Sequence, residues 1–231
     1  MIGIIGGTSL LDSSLFHDQP IKRLDTPYGP VSVMVHEKAL FLQRHGYPPL
    51  PPHKINHRAN IRALKDLGVT RIIAINSVGS LKIKNRPGTF VVPDDFISIL
   101  QIPTFFDDEM QFMIPRMDMD LAEWLYKQCK ALGMTVQQGG VYIQTTGPRL
   151  ETRAEIAMLK RWGDVVGMTM ASEATLSMEQ QISYASLCSI DNYGHGIAKV
   201  ALTMEEIKEN VMANIKQVEV LIRTILAGDL P

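Results

Sequence analysis

The sequence predicts a single α/β domain in which a central β-sheet is flanked by α-helices. Three observations predict it. The chain has 231 residues, of which 45% are hydrophobic, enough to bury a large core. Short runs rich in Val and Ile alternate with amphipathic stretches, as in a sheet covered by helices. Nothing repeats and no linker interrupts the chain, so residues 1–231 are read as one domain.

The strands expected from apolar runs are residues 2–5, 31–36, 39–43, 71–76, 141–145, 165–170 and 184–190, with a further one within 90–100. Four prolines in residues 48–52 require an extended loop. Residues 104–117 lack clear periodicity and read as a mobile or interfacial loop. Leu121, Trp124, Leu125, Gln128, Cys129 and Leu132 share one helical face, with Asp118 or Asp120 as the cap and Gly133 as the stop. Ile207, Val211, Ile215, Val218, Ile222 and Ile225 recur at helical spacing before Gly228, which predicts a long last helix with a buried face.

Charge and cysteine usage narrow the function classes. With 23 basic and 24 acidic residues the net charge is -1, so no overall field draws the chain to nucleic acid or to an anionic membrane. Cys129 and Cys188 lie in apolar runs without metal-type spacing and are expected to be reduced core residues. The start, MIGIIGG, has no basic region, and no apolar run approaches the roughly 18 residues that cross a bilayer. A cytoplasmic location is expected.

Several loops could carry chemistry. In GIIGGTSLL an apolar strand ends in Gly6-Gly7 and is followed by Thr8 and Ser9; converging backbone N–H groups and hydroxyls there suit phosphate, or the segment is a tight capped turn. The dinucleotide pattern G-x-G-x-x-G is absent, which argues against a nicotinamide cofactor. Arg44-His45-Gly46 closes another strand, and arginine presents a planar fork that matches phosphate. Asn76, Ser77, Gly79 and Ser80 follow the apolar strand IIAI, where small residues let amides approach a ligand. Met168-Thr169 ends a further strand. Glu173 beyond it is a sugar-hydroxyl acceptor or a first-turn helix charge.

These loops carry a resemblance. GIIGGTSLL, DTPYG, LQRHG, PPHKINHRANI, NSVGSL, TTGPRLETRAEI, VVGMTMASEATL and ISYASLCSIDN occur in the order and at about the spacing of the trimeric purine nucleoside phosphorylase and methylthioadenosine phosphorylase family, over almost the whole chain. The resemblance implies a mixed, twisted sheet and phosphorolysis of a purine nucleoside to free base and a sugar 1-phosphate. It implies a phosphate site of Thr8, Arg44, His45, the backbone at Ser77 and the Thr169 hydroxyl. Met168 would lie under the ribose, and Glu151 and Asn192 would face the purine; Asn192, Glu151 and Thr169 are the residues expected to act in catalysis. Inorganic phosphate is then a co-substrate, with no metal and no other cofactor. The implied partners are small molecules and further copies of the chain, in a homotrimer or hexamer with sites near subunit interfaces. Arg44 is expected to be removable without disturbing the fold.

The base follows from two of these positions. A 6-oxopurine offers an N1–H donor and an O6 acceptor, whereas adenine inverts both. Glu151 can accept from N1–H and the Asn192 amide can donate to O6 and N7, which suits hypoxanthine or guanine. Family members selective for adenine resemble this chain but carry aspartate at the Asn192 position and serine at the glutamate. Asp191 adjoins Asn192, and a shift of one residue would restore the acid, so methylthioadenosine stays as the alternative substrate. Where vertebrate-type inosine phosphorylases have a histidine at the ribose 5′-hydroxyl, this chain has Met204, in TMEEIKEN. Met204 and Ile207 share a helical face and would form an apolar 5′ pocket suited to a methylthio group, or simply pack the last helix on the sheet. The combination points to S-methyl-5′-thioinosine, with inosine and guanosine as further substrates. Ser172 replaces the proline usual in the family and predicts a looser loop; His57 stands where many relatives have tyrosine. Ser9, His57 and Ser172 together keep open a second class, a nucleoside-binding protein with weak catalysis.

Overall fold

The computed structural model describes residues 1–11, 13–100, 102–199 and 203–228. In chain order its strands are β1 (Ile2–Gly6), β2 (Ile21–Thr26), β3 (Gly29–Val35), β4 (Ala39–Gln43), β5 (Arg71–Ser80), β6 (Phe90–Val92), β7 (Asp95–Ser98), β8 (Val136–Gln138), β9 (Val141–Gln144), β10 (Val165–Gly167) and β11 (Ser183–Tyr193). The helices are α1 (His57–Asp66), α2 (Met119–Ala131), α3 (Arg153–Leu159), α4 (Met170–Glu179) and α5 (Met204–Ala227). All eleven strands join one mixed sheet, as expected.

That sheet forks at β5. β11 runs parallel to β5 along its whole length, from Ser183 beside Arg71 to Tyr193 beside Ser80. On the opposite edge β1 pairs only with Arg71–Ala74 and antiparallel β10 only with Gly79 and Ser80, which leaves residues 75–78 without a strand neighbour there. A gap therefore opens in the sheet at the carboxyl ends of β1, β4, β5 and β11, the position where open α/β sheets bind ligands.

The core lies on both faces of the sheet. β1 and β4 are buried at every position, which fits parallel central strands covered on both sides. On one face Ala59, Ile61, Ala63 and Leu64 of α1 and Met170, Ala174 and Leu176 of α4 pack against the strands. On the other, Leu121, Leu125 and Cys129 of α2 meet Val218, Leu221, Ile222 and Ile225 of α5. Asp118, rather than Asp120, caps α2 by accepting from Leu121 N–H at 2.9 Å, and Gly133 ends it at φ +72°.

Several elements differ from expectation. β5 continues through Asn76–Ser80, so those residues are strand and not a following loop. The run 165–170 is divided: β10 ends at Gly167 and α4 begins at Met170. Residues 90–100 hold two strands, broken at Pro93-Asp94. β11 reaches Tyr193 and so includes Asp191 and Asn192. Residues 104–117 contain neither helix nor strand.

Candidate active site

A cavity of about 450 Å³ fills the gap beside β5, and all ten residues expected at the site line it. Its walls are the segments after β1, β4 and β10, the ends of β5 and β11, residues 148–151 and the first turns of α5.

At one end sits Arg44, 3% exposed. Its Nε donates to Glu173 Oε1 at 2.6 Å, Nη2 to Glu173 Oε2 at 3.2 Å, and Nη1 to the carbonyl of Ile75, in the unpaired stretch of β5, at 2.7 Å. Three of the five guanidinium N–H groups are thus used, leaving one on each Nη. Burial lowers the Arg44 pKa, but the charge and hydrogen bonds of Glu173 outweigh it and the net shift is upward. Glu173 also accepts from the Tyr184 hydroxyl at 2.9 Å. Of the two readings from sequence, the first-turn helix charge is the one found, since Glu173 stands in the first turn of α4; its carboxylate is taken up by Arg44 and Tyr184, and it anchors Arg44. Gly7 explains the glycine pair: a Cβ there would stand 2.0 Å from Arg44 Nη1. The loop can cross the guanidinium only without a side chain. Thr8, next along, is exposed at the rim.

His45 donates from Nδ1 to the Leu50 carbonyl at 2.7 Å, which makes Nε2 the acceptor of the neutral ring. Burial is the main cause holding its pKa below the usual histidine value, with Arg44 adding to it. Thr169 stands at the N-cap of α4, yet its hydroxyl makes no capping bond. Its Oγ accepts from Asn76 Nδ2 at 2.8 Å, and Asn76 Oδ1 accepts from Ser186 at 2.7 Å. With its acceptor side occupied, the Thr169 O–H is left to donate. The helix end is held by Tyr142, whose hydroxyl accepts from Thr169 and Met170 N–H at 3.1 and 3.3 Å. Gly167 makes room for that ring: a Cβ would lie 2.3 Å from the Tyr142 oxygen.

At the other end are Glu151 and Asn192, both half-buried. Glu151 accepts from the Thr145 hydroxyl at 2.7 Å through Oε1, which leaves Oε2 for a donor. Asn192 packs over Gly79, where a Cβ would meet its Nδ2 at 3.2 Å, and donates to the Tyr193 carbonyl at 2.9 Å. Met168 lies between the two ends, pressed on Gly147. Met204, Ile207 and Val211 on α5 give the cavity an apolar side.

The substituted positions have definite surroundings. Ser172 is buried in α4; its Oγ accepts from Gln144 Nε2 at 2.7 Å and its N–H donates to Gln144 Oε1 at 3.1 Å. The expected loosening is not found, because both groups the serine offers are tied to β9. His57 lines a separate cavity of about 220 Å³ with Ser172, Gln144 and the back of Met168. Ser9 is fully buried and its hydroxyl has no partner among the described residues. Sequence reading missed Asn76 and Ser186 as supports of Thr169, Tyr142 as support of α4, and Asn210 and Asn214 as ties to β11. Their partners lie 27 or more residues away for the first three, and only the polar asparagines inside an apolar helix face gave a signal. Among the described residues no helix is long and apolar enough to cross a membrane.

Residues 1–227 match the model of the phosphorylase superfamily. The chain is 44% identical over 218 residues to a probable S-methyl-5′-thioinosine phosphorylase of Methanocaldococcus jannaschii, covering 91% of this chain and 86% of that one. It is 41% identical over 223 residues to a probable 6-oxopurine nucleoside phosphorylase of Archaeoglobus fulgidus, covering 94% and 92%. Among solved structures, methylthioadenosine phosphorylase from Schistosoma mansoni in complex with tubercidin superposes with a TM-score of 0.81 at 27% identity, covering 99% of this chain and 92% of that one.

Proposed function

Since the chain belongs to the phosphorylase superfamily, we propose that it is a pentosyltransferase that cleaves 6-oxopurine nucleosides by phosphorolysis, with S-methyl-5′-thioinosine preferred over inosine and guanosine. The products are the free purine and 5-methylthioribose 1-phosphate or ribose 1-phosphate. One observation carries the reading: a single cavity joins the free N–H groups of Arg44 and the Thr169 hydroxyl at one end to a carboxylate and an amide at the other.

The free N–H groups of Arg44, the Thr169 hydroxyl and the Thr8 loop suit a phosphate dianion, with His45 beside them. Breaking the glycosidic bond leaves positive charge on the sugar and electron density on the purine. Phosphate answers the first as counter-charge and nucleophile; the Asn192 amide answers the second by donating to the base, and Glu151 accepts from N1–H. Met168 supports the ribose, and Met204 and Ile207 cover the 5′ substituent. The reaction needs phosphate as co-substrate and no metal. We place the enzyme in the cytoplasm, in keeping with two buried free thiols, Cys129 and Cys188, and we propose a homotrimer as its working state.

The similarity to a methylthioadenosine phosphorylase and the carboxylate of Asp191 next to Asn192 favour one competing substrate, S-methyl-5′-thioadenosine. A half-buried Glu151 carboxylate facing adenine N1 would disfavour it by about 1–3 kcal/mol. A panel of inosine, guanosine, methylthioinosine and methylthioadenosine, assayed with and without phosphate, tests reaction and base together. Base release that does not depend on phosphate, or faster cleavage of methylthioadenosine than of methylthioinosine, would overturn the corresponding part.

A further inference from the structure

Four polar side chains stand in a line behind the phosphate end of the cavity. Asn76, Ser186 and Cys188 share one face of the sheet: Cys188 of β11 lies beside Asn76 of β5, and Ser186 comes two residues earlier on the same side. That face is otherwise apolar, where Ala74 and Val78 pack with Met170 and Ala174 of α4. Asn76 is 1% exposed, and Ser186 and Cys188 are sealed from solvent. Ser186 Oγ donates to Asn76 Oδ1 at 2.7 Å, and Asn76 Nδ2 donates to Thr169 Oγ at 2.8 Å. Cys188 Sγ lies 3.5 Å behind Ser186 Oγ, and burial pushes its pKa up to about 12, so the thiol keeps its proton. Of the four residues only Thr169 lines the cavity.

Each member of such a line loses its hydration, and apolar side chains would pack the layer as well, so packing alone does not account for it. Direction does. An asparagine amide has a donor end and an acceptor end. With Nδ2 toward Thr169, the threonine oxygen accepts and its proton is free for an anion. Turned over, the amide would take that proton on Oδ1 and leave phosphate facing a lone pair. We propose that Ser186 is a positioning residue for phosphate: by donating to Oδ1 it holds the Asn76 amide in the one orientation that makes Thr169 a donor. This rests on the phosphorolysis reading above. In the reverse arrangement Ser186 would accept from Nδ2 and could donate only to sulfur, a weak acceptor, so the observed orientation is the stronger. The line then points one way, from thiol to hydroxyl to amide to hydroxyl to phosphate, and each bond polarises the next.

Ser186→Ala removes the hydroxyl without enlarging the side chain and leaves every cavity-lining residue in place. Titration calorimetry should give a Kd for inorganic phosphate raised about tenfold, as for one weakened charge-assisted hydrogen bond. KM for phosphate should rise with it, while KM for methylthioinosine stays within about twofold of the parent. Ser186→Thr restores the hydroxyl and should bring the phosphate Kd back to within about threefold. Ser186→Cys replaces the alanine variant if that one folds poorly, because its S–H donates too weakly to hold the amide. A phosphate Kd that does not move when the hydroxyl is lost would make Ser186 an ordinary core residue. Equal losses for phosphate and nucleoside, or a loss that threonine does not relieve, would make it a packing residue; each of these results overturns the proposal. A parent that releases no base from any nucleoside defeats the phosphorolysis reading instead, and the calorimetric comparison still decides the role of Ser186.

Discussion

Burying an arginine beside a glutamate gains little net stability, since desolvating both charges offsets most of their attraction, but removing one partner strands the other. Arg44 and Glu173 are each 2% exposed at the side chain, so Arg44 cannot be deleted cleanly, contrary to the expectation from sequence. Arg44→Ala should cost about 3–5 kcal/mol in a urea titration as well as weaken phosphate. Arg44→Met with Glu173→Gln should recover most of the stability and keep a raised KM for phosphate, by about tenfold or more for a lost charge-assisted contact. A single variant as stable as the parent would deny the buried pair, and a double variant with the parent's KM would remove Arg44 from the phosphate site. His57 supplies a pH dependence by the same logic. Burial lowers its pKa to about 4, with Arg44 and His45 adding to the effect and Glu173 opposing it. The unfolded chain therefore binds a proton near pH 6.5 that the folded protein refuses until about pH 4, and stability is lost as pH falls through that window. At roughly 1.4 kcal/mol per pH unit the whole window is worth about 3 kcal/mol. His57→Gln should shrink the difference in urea midpoint between pH 7 and pH 5; an unchanged difference would mean that His57 is not the group responsible.

At the scale of elements, what the sequence made legible was whatever repeats at a fixed period or ends in a residue with one use. β1, β4, α2 and the buried face of α5 show such patterns, and so did the motifs that bring Thr8, Arg44, Ser77 and Asn192 to one cavity, although Ser77 and Asn192 prove to lie in strands. β2 was not legible, because IKRLDT is an exposed strand with no alternation to read. α4 was hidden for the opposite reason: Met170–Ala174, Leu176 and Ser177 are all buried, so the helix has no polar face to set a period. The same apolar run made 165–170 read as one strand, whereas the chain turns into α4 at Met168-Thr169 over the Tyr142 hydroxyl, a partner far off in sequence. α5 joins two uses in one helix. Its second half fills the core through Val218, Leu221, Ile222 and Ile225, and its first half turns Met204, Ile207 and Val211 to the cavity. If those residues cover the 5′ substituent, a methylthio group gains from desolvation and a hydroxyl loses water without a partner, each by about 1–2 kcal/mol. kcat/KM should then favour methylthioinosine over inosine by about tenfold or more, and Met204→His should narrow or invert the ratio. Equal use of both nucleosides by the parent, or a ratio that the histidine leaves unmoved, would reduce Met204 to packing.

For the whole molecule, the pattern of exposed apolar residues bears on the proposed trimer. Met110, Phe112 and Ile114 are 92%, 89% and 88% exposed in a segment with neither helix nor strand, and Ile99, Leu100, Leu150 and Met158 are also open to solvent. A cavity of about 330 Å³ lined by Ile99, Leu100 and Met158 adjoins the candidate site and shares Glu151 with it. Apolar surface gathered beside a site marks a contact face more readily than a solvated one. If three copies meet through both surfaces, the segment around Phe112, whose Ile114 lines a separate cavity with Met178 and Tyr184 at the start of β11, is buried only in the assembly, and each candidate site is shielded from water by a neighbour. Light scattering at micromolar concentration should then give about three times the mass of one chain. Phe112→Glu with Ile114→Glu should produce monomers whose secondary structure is intact, since neither side chain belongs to the core of the single chain, while phosphorolysis falls through a raised KM for the nucleoside. A monomeric parent would remove the trimer from the proposal, and a monomeric variant with full activity would show that the cavity described here is complete within one chain.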